Sequence, residues 1–94
     1  MNGEIVGFAS LADAGDWLEL EDLFVDPVFM RQGVGRALMH DVVEQARRRG
    51  VGRVEVNAND HALMFYEEVG FVALGRVPLE HGTAIRMSLD VHNQ

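Results

Sequence analysis

Two glycines stand at the start of a helical pattern, directly after a short apolar run, and this is where the chain is best suited to hold a phosphate. Residues 26–38 read Asp-Pro-Val-Phe-Met-Arg-Gln-Gly-Val-Gly-Arg-Ala-Leu. When a strand leads through a glycine turn into a helix, the first N–H groups of the helix point outward and its dipole favours an anion. Gly33 and Gly35 allow a close approach because they carry no Cβ. A glycine turn that merely begins a helix would give the same pattern.

Residue types exclude the more familiar phosphate loops. No Lys-Ser or Lys-Thr pair follows the glycines, so the segment is not a P-loop. Only two glycines have the spacing of a dinucleotide-binding turn. A nucleotide-binding domain is therefore a weak interpretation, and it requires that ATP or NAD bind in preference to other phosphate-bearing ligands.

A second segment, one predicted strand further along, favours a ligand-binding interpretation of the glycine turn. Residues 59–71 read Asn-Asp-His-Ala-Leu-Met-Phe-Tyr-Glu-Glu-Val-Gly-Phe. Together the two segments resemble the GNAT superfamily of acyl-CoA-dependent N-acetyltransferases. The first is similar to that family's pyrophosphate loop, Gln/Arg-x-x-Gly-x-Gly/Ala, and the second to its Asn-x-x-Ala-x-x-x-Tyr-x-x-x-Gly-Phe segment. Met30 departs from the loop pattern, because Gln or Arg is usual there.

The resemblance implies acetyl-CoA as co-substrate. Backbone N–H groups of residues 32–36 would hold its diphosphate, helped by charge-assisted bonds from Arg31 or Arg36. The pantetheine would lie beside the strand that ends at the loop, with one N–H, of Val25 or Phe24, on the thioester oxygen; such a donor contributes roughly 3 kcal/mol. Asn59 would contact the pantetheine, cap the second helix, or do both. The predicted cofactor-binding residues are Leu23, Phe24, Val25, Arg31, Gln32, Gly33, Val34, Gly35, Arg36, Asn59 and Tyr66.

The only tyrosine of the chain, Tyr66, occupies the position of the family's general acid. A phenol with a pKa of about 10 can donate a proton to a departing thiolate. The structural alternative is a tyrosine that only packs its ring on the sheet.

Acids on the strand before the loop are the candidates for the general base. An alkylamine with a pKa of about 10.4 is mostly protonated at pH 7, and removing that proton costs roughly 4–5 kcal/mol. Glu19, Glu21 and Asp22 lie on this strand, and residues 20–25 are similar to the corresponding strand of diamine acetyltransferases. Tyr66, Glu21 and Glu19 are the predicted catalytic residues. An acidic strand face that is simply solvated would look the same.

Other reactive residue types show no constellation. The four histidines share no metal-ligand spacing, so no metal is predicted. The absence of cysteine leaves no thiol nucleophile or disulfide. Ser10 and Ser88 have no evident His-Asp partners, which favours direct acetyl transfer in a ternary complex.

Composition predicts one domain, residues 1–94, with a packed core, because 48% of the 94 residues are hydrophobic. No apolar run is long enough to cross a bilayer and no basic-then-apolar leader is present, so we expect a cytoplasmic protein without a membrane partner.

The charge is concentrated in the first third of the chain. Residues 1–30 hold seven acids and no Arg, residues 31–94 hold eight acids and eight Arg, and the net charge is −7. Nucleic acid is therefore not an expected partner, since it requires a positive face. The acidic third could attract a cationic substrate, although a solvated acidic hairpin is the simpler interpretation.

Hydrophobic periodicity and turn residues predict an α/β (α+β) fold with the order β-β-α-β-α-β-β. A mixed central sheet carries two covering helices, and a β-bulge is expected at Asp22–Leu23, where the alternation breaks. A loop containing Pro78 and Gly82 is predicted between the last two strands. Strands are predicted at residues 5–11, 17–25, 53–56, 71–77 and 84–91, helices at 34–49 and 60–69, and a turn at 12–16.

Compared with the family, the sequence is expected to lack the first strand, two helices and the second strand. Asn2-Gly3 is a hairpin signal without a preceding strand, so the strand at residues 5–11 would expose an edge. Another chain could cover this edge, or the sequence could be that of a truncated gene product, but we expect a homodimer through it. Since the missing helices shape much of the family's acceptor site, the amine pocket is the least defined part.

Two functions are compatible with these residues. The first is an N-acetyltransferase acting on a primary amine of a small molecule or peptide, favoured by Tyr66 and the acidic strand. The alternative is a catalytically weak GNAT-like CoA-binding module that serves as a regulatory or partner subunit, favoured by the short length.

Overall fold

A five-stranded mixed sheet forms the centre of the fold in the computed structural model, which describes residues 7–29 and 31–93. The strands lie in the order β1-β2-β3-β5-β4. Short 3₁₀ turns follow β2 and β5. The elements are β1 (Gly7–Asp13), β2 (Leu18–Val25), α1 (Val34–Arg48), β3 (Arg53–Ala58), α2 (Leu63–Glu68), β4 (Val72–Leu79) and β5 (Gly82–Asp90). The predicted fold class and element order are confirmed.

The sheet is parallel only where β2 meets β3, because α1 carries the chain back between them. This pairing joins residues 18–20 to residues 54–56. Beyond Leu20 and Val56 the strands part: β2 continues against β1, and β3 continues against β5. The parting opens a gap in the middle of the sheet.

A β-bulge lies at Glu21, just beyond the last β2–β3 pair. Ser10 pairs with Asp22 whereas Leu11 pairs with Leu20, so Glu21 is the extra residue on β2. Both Leu20 and Leu23 pack toward the core, and a regular two-residue alternation would put them on opposite faces. The expected bulge is therefore present, but it precedes the predicted Asp22–Leu23 position. The alternation alone does not tell which residue is inserted.

Both helices cover the same face of the sheet and enclose one core. The apolar side of α1 packs over β1, β2 and β3, and Gly50 ends the helix with a φ of 73°. The fully buried side chains of largest volume are Leu18, Leu20, Val42, Val54, Met87, Leu89 and Val91. The opposite face of the sheet carries charged side chains instead. None of the described helices is long and apolar enough to span a membrane.

Several predicted boundaries are wrong in detail. The strand β1 continues to Asp13, where a turn was expected, because it keeps pairing with β2. Pro78 and Gly82 belong to β4 and β5 rather than to a loop, and only two residues connect these strands. Proline is tolerated there because β4 is an edge strand of the described sheet. No strand lies on its outer side, so no ladder hydrogen bond there requires the N–H that proline lacks.

The second helix is shorter than predicted, and three expectations concern residues outside the described ranges. The helix α2 begins at Leu63 instead of Asp60, because a turn held by Asn59 precedes it. The Asn2-Gly3 signal, the first two residues of the predicted strand 5–11, and the Met30 departure all lie outside the described residues.

Candidate active site

A cleft of about 610 Å³ opens where β2 and β3 part, between the end of β2, the start of α1 and α2. Nine of the residues predicted to bind the cofactor contribute to its wall: Leu23, Val25, Arg31, Gly33, Val34, Gly35, Arg36, Asn59 and Tyr66. Two distant segments of the sequence, the glycine turn and residues 59–71, therefore meet in one place. The remaining lining residues are Phe29, His61, Ala62, Phe65 and Glu68.

The glycine turn presents the start of α1 to this cleft. The first bond of the helix runs from the Ala37 N–H to the Gly33 carbonyl at 3.0 Å, so the N–H groups of residues 34–36 precede it. Gly33 is the N-cap with a φ of 80°, and it provides no side chain to cap those groups. An anion placed here would meet N–H groups for which no partner is found among the described residues, and the positive end of a 15-residue helix.

The backbone of the turn is strained at Arg31, which has a φ of 65°. Left-handed backbone is unfavourable for a residue with a Cβ, by about 1 kcal/mol. Strain of this kind is retained where the surrounding structure imposes it. At Arg31 it directs the chain into α1 and places a guanidinium at the wall of the cleft.

Cations and one acid share the outer part of the cleft. Arg36 lies 3.9 Å from the Glu68 carboxylate, and both side chains are more than half exposed. The pair is therefore loose and solvated, and contributes little to stability. Arg31 and Arg36 make this rim suited to a polyanion, while Glu68 opposes one.

Tyr66 lies deeper in the cleft, with only 6% of its surface exposed. Its ring packs edge-on against Phe65 and Phe71, with centroids 5.4 Å and 5.2 Å away. None of the described residues hydrogen-bonds to its hydroxyl. Burial, and then the negative charge of Asp22, raise the pKa of Tyr66 above its ordinary value of 10.0. The phenol therefore stays protonated at neutral pH.

Asn59 holds the turn that leads into α2. Its side-chain oxygen accepts a hydrogen bond from the Ala62 N–H at 2.8 Å, and its backbone carbonyl accepts from the same group at 3.1 Å. Asn59 therefore closes the turn that precedes α2, whereas the N-cap of the helix itself is Ala62, without a side-chain cap. The side chain also lines the cleft, so contact with a ligand remains compatible with this geometry.

Four predicted residues do not line the cleft: Glu19, Glu21, Phe24 and Gln32. The Gln32 amide is turned back onto the Val28 carbonyl at 3.3 Å. The Phe24 ring lies on the opposite face of the sheet, 5.6 Å from the ring of Phe8. For both residues the prediction concerns the backbone N–H, which the position of a side chain does not test.

Glu19 is placed differently from the expectation for a general base. It is held by Arg86, whose two terminal nitrogens lie 2.6 Å and 2.7 Å from its carboxylate oxygens, and by the Trp17 indole N–H at 2.9 Å. Burial alone would raise the pKa of Glu19, but these hydrogen bonds lower it below its ordinary value of 4.5. A carboxylate so engaged is a poor proton acceptor. Glu21 and Asp22 are exposed near the opening and have no such partner among the described residues.

The cleft also contains residues that the sequence analysis did not assign. Phe65 and Ala62 belong to the second motif, from which Asn59 and Tyr66 were predicted. The motif was therefore the signal in the sequence that could have identified them. Phe29 ends the short 3₁₀ turn that begins at Pro27 and precedes the glycine turn. Glu68 reaches the cleft only because α2 runs beside α1. Over residues 7–29 and 31–93, no group of three or more His, Asp or Glu side chains is placed to hold a metal ion.

A family comparison identifies the architecture. The family model described as an acetyltransferase (GNAT) domain matches residues 1–91. The chain is 38% identical over 73 residues to the ribosomal protein bS18-alanine N-acetyltransferase of Escherichia coli K12, covering 74% of this chain and 49% of that protein. It is 36% identical over 78 residues to the glucosamine 6-phosphate N-acetyltransferase of Trypanosoma brucei brucei, covering 76% and 53%. The chain thus spans about half the length of these curated relatives.

Solved structures agree with this comparison. Nourseothricin acetyltransferase superposes with a TM-score of 0.85 at 30% identity, over 96% of this chain and 60% of that chain. The Escherichia coli ribosomal-protein-S18-alanine N-acetyltransferase superposes with a TM-score of 0.78 at 31% identity, over 97% and 64%. The family match over nearly the whole sequence, together with this fold, establishes that the chain belongs to the GNAT acetyltransferase family.

Proposed function

We propose that this protein is an N-acetyltransferase that transfers the acetyl group of acetyl-CoA directly to a primary amine of a small molecule or peptide. The observation that carries the proposal is the arrangement of the cleft. At one end lies the uncapped start of α1, suited to a diphosphate, and deeper lies the buried Tyr66, suited to a leaving thiolate. Family membership supports the same chemistry.

The proposed grip on the diphosphate combines backbone donors with charge. The N–H groups at the start of α1 would bind its oxygens, and Arg31 and Arg36 would neutralise them. The missing Cβ at Gly33 leaves room for this approach, whereas the space beside Gly35 is taken by the Phe65 ring. The pantetheine would extend inward along the β3-facing edge of β2, which has no partner strand beyond Leu20 among the described residues.

The transfer itself needs a proton donor for sulfur. The amine nitrogen attacks the thioester carbon, the new C–N bond forms, and the C–S bond breaks with its electrons on sulfur. Because the pKa of Tyr66 is raised, its hydroxyl is available as a hydrogen-bond donor to that sulfur throughout the neutral range. The proton that Tyr66 gives is returned from solvent or from the proton released by the amine.

The amine must lose a proton before it attacks. Of the acids predicted for this step, Glu19 is engaged by Arg86, so we propose that Glu21 or Asp22 accepts the proton, directly or through water. Asp22 is the better placed of the two, since its negative charge contributes to the raised pKa of Tyr66 and therefore acts close to the opening of the sheet.

The acceptor is proposed only as a class. Relatives are named for glucosamine 6-phosphate, for the alanine of ribosomal protein bS18, and for the ε-amine of thialysine in Caenorhabditis elegans. These acceptors share an amine but little else. The exposed acids near the opening, Glu21 and Asp22, favour an acceptor that is positively charged before it is deprotonated.

A homodimer through β1 remains part of the proposal. In the described sheet β1 is an edge strand that pairs only with β2. A second copy could add its own β1 there and satisfy the free backbone groups. Light scattering of the purified protein would give the mass of a dimer, whereas the mass of a monomer across the concentration range would contradict it.

Calorimetric titration with acetyl-CoA, with ATP as the control ligand, is the experiment that tests the proposed function. We expect micromolar binding of acetyl-CoA and none of ATP, followed by release of free CoA thiol when amines are supplied. Binding without turnover over a broad amine panel would support the alternative, a CoA-binding module with a regulatory role. Absence of acetyl-CoA binding would reject both.

A further inference from the structure

The junction between β2 and β3 is the shortest pairing in the sheet. It consists of three residue pairs, whereas β3 and β5 share six and the two outer pairings share seven each. The cleft opens directly beyond it. The width of the opening therefore depends on the position of β2 relative to β3 at Leu20. Three residue pairs constrain that position only weakly.

One side chain crosses this junction on the face opposite the helices. Arg86 lies on β5, next to Asn57 of β3 in the register, and its guanidinium reaches over β3 to β2. Its terminal nitrogens bind both carboxylate oxygens of Glu19, at 2.6 Å and 2.7 Å. It also donates to Glu55 through Nε at 3.0 Å and to the Asn57 side chain at 3.0 Å. One residue thus binds two strands that part immediately beyond it.

The surroundings make this contact strong. The side chains of Arg86, Glu19 and Glu55 are only 19%, 22% and 12% exposed. A two-pronged guanidinium–carboxylate bond in partial burial is stronger and more directional than a solvated ion pair. The hydrogen bond with Glu19 raises the pKa of Arg86 and lowers that of Glu19, so both groups stay charged at neutral pH.

Two further residues close the network. Arg53 donates to the remaining oxygen of Glu55 and stacks over the Trp17 ring at 4.7 Å. The Trp17 indole N–H in turn donates to Glu19 at 2.9 Å. The two arginines and two glutamates balance in charge. Each of these four charged side chains therefore has an oppositely charged partner within the network.

We propose that Arg86 is a positioning residue for acetyl transfer: by binding Glu19 of β2 and Glu55 of β3, it fixes the strands where they part and sets the width of the opening. The proposal rests on the proposed function of the cleft. Leu20 and Val56 form the last pair of the junction. Glu19 immediately precedes Leu20 on β2, and Asn57 immediately follows Val56 on β3. Loss of the bridge lets β2 move against β3, and the thioester and Tyr66 no longer keep their alignment. A misplacement near 1 Å can cost about a hundredfold in rate.

The test compares Arg86→Gln and Arg86→Lys with a matched control, Arg76→Gln. Arg76 lies on β4, where it binds Asp60 and Thr83 on the surface and does not touch the β2–β3 junction. Hydrogen exchange of the amides in residues 18–20 and 54–56 reports the junction. Calorimetric acetyl-CoA affinity and kcat, measured well below the melting temperature of each variant, report the cleft.

We expect Arg86→Gln to accelerate exchange at the junction and to lower kcat by roughly ten- to a hundredfold with a smaller loss of acetyl-CoA affinity. Arg86→Lys, which keeps the charge but not the two-pronged geometry, should fall between it and the unsubstituted protein. Arg76→Gln should change neither. Faster exchange with unchanged kcat and affinity, or unchanged exchange, would overturn the proposal.

The failure of the two proposals is distinguishable. If the unsubstituted protein binds no acetyl-CoA, the proposed function fails, and with it the role of Arg86 in transfer. The exchange measurement still decides whether Arg86 holds β2 to β3. If acetyl-CoA binds and is turned over but Arg86→Gln behaves as Arg76→Gln does, the positioning role alone is rejected.

Discussion

A Cβ placed on Gly35 would lie 2.9 Å from Cε1 of the Phe65 ring, so the start of α1 and the side of α2 touch at a position where any larger residue forces the ring to shift. Gly35 has an ordinary helical backbone, and the requirement comes from the neighbour rather than from its φ. The contact sets the distance between the anion-binding turn and the helix that carries Tyr66. Both the stability of the helix junction and the geometry of the cleft depend on it.

Gly35→Ala is therefore expected to destabilise the protein and weaken the cleft. The added methyl forces the Phe65 ring or α2 to move, which costs about 1–3 kcal/mol in the free energy of unfolding. Acetyl-CoA affinity should fall with it. Urea unfolding and calorimetry measure the two effects. In the double variant Gly35→Ala/Phe65→Leu, the smaller side chain should restore part of the stability. A Gly35→Ala protein as stable as the original would contradict the steric argument.

Glu68→Gln is expected to strengthen acetyl-CoA binding. Glu68 lines the cleft near Arg36, and its charge opposes a polyanion. Since both groups are well exposed, the gain should be modest, about two- to fivefold in Kd, and should shrink as salt is added. Calorimetric titration at low and high salt measures it. Glu67→Gln, which removes the same charge from a position outside the cleft, is the control, and an equal gain there would attribute the effect to net charge alone.

Tyr66→Phe separates catalysis from packing. Its hydroxyl has no hydrogen-bond partner among the described residues, so removing it strands no other group, and the ring contacts with Phe65 and Phe71 are kept. We expect an unchanged melting temperature, unchanged acetyl-CoA affinity and a kcat lowered about a hundredfold or more. A kcat close to that of the original protein would remove Tyr66 from the mechanism.

Asp22→Asn should affect both the acceptor step and Tyr66. Because the negative charge of Asp22 contributes to the raised pKa of Tyr66, removing it should move the ionisation of the phenol to lower pH. Ultraviolet absorbance follows this directly, since Tyr66 is the only tyrosine. We also expect a lower kcat/KM for the amine. Glu21→Gln serves as the comparison, and a larger loss of kcat/KM in that variant would assign the base to Glu21.

The sequence was most informative where local rules suffice. The period of apolar residues and the stop at Gly50 predicted α1 to within one residue, and nine of the residues that line the cleft were among those predicted. The role of Glu19 was beyond such reasoning. Its partner Arg86 is 67 residues away in the sequence, and only the pairing of β3 with both β2 and β5 brings them together. The bulge at Glu21 was anticipated but misplaced, because alternation marks a break without marking which residue is inserted.

The Glu19–Arg86 contact predicts how stability depends on pH. The pKa of Glu19 is lowered in the folded protein, so its contribution is complete above the ordinary value of 4.5 and is lost as the pH falls through the lower, folded value. Urea unfolding at a series of pH values should show a free energy of unfolding that declines below 4.5. Glu19→Gln should be less stable at neutral pH and should show a smaller decline, because the group that titrates is gone. Two parallel pH profiles would mean that Glu19 contributes no pH-dependent stability, and the decline would then belong to other carboxylates.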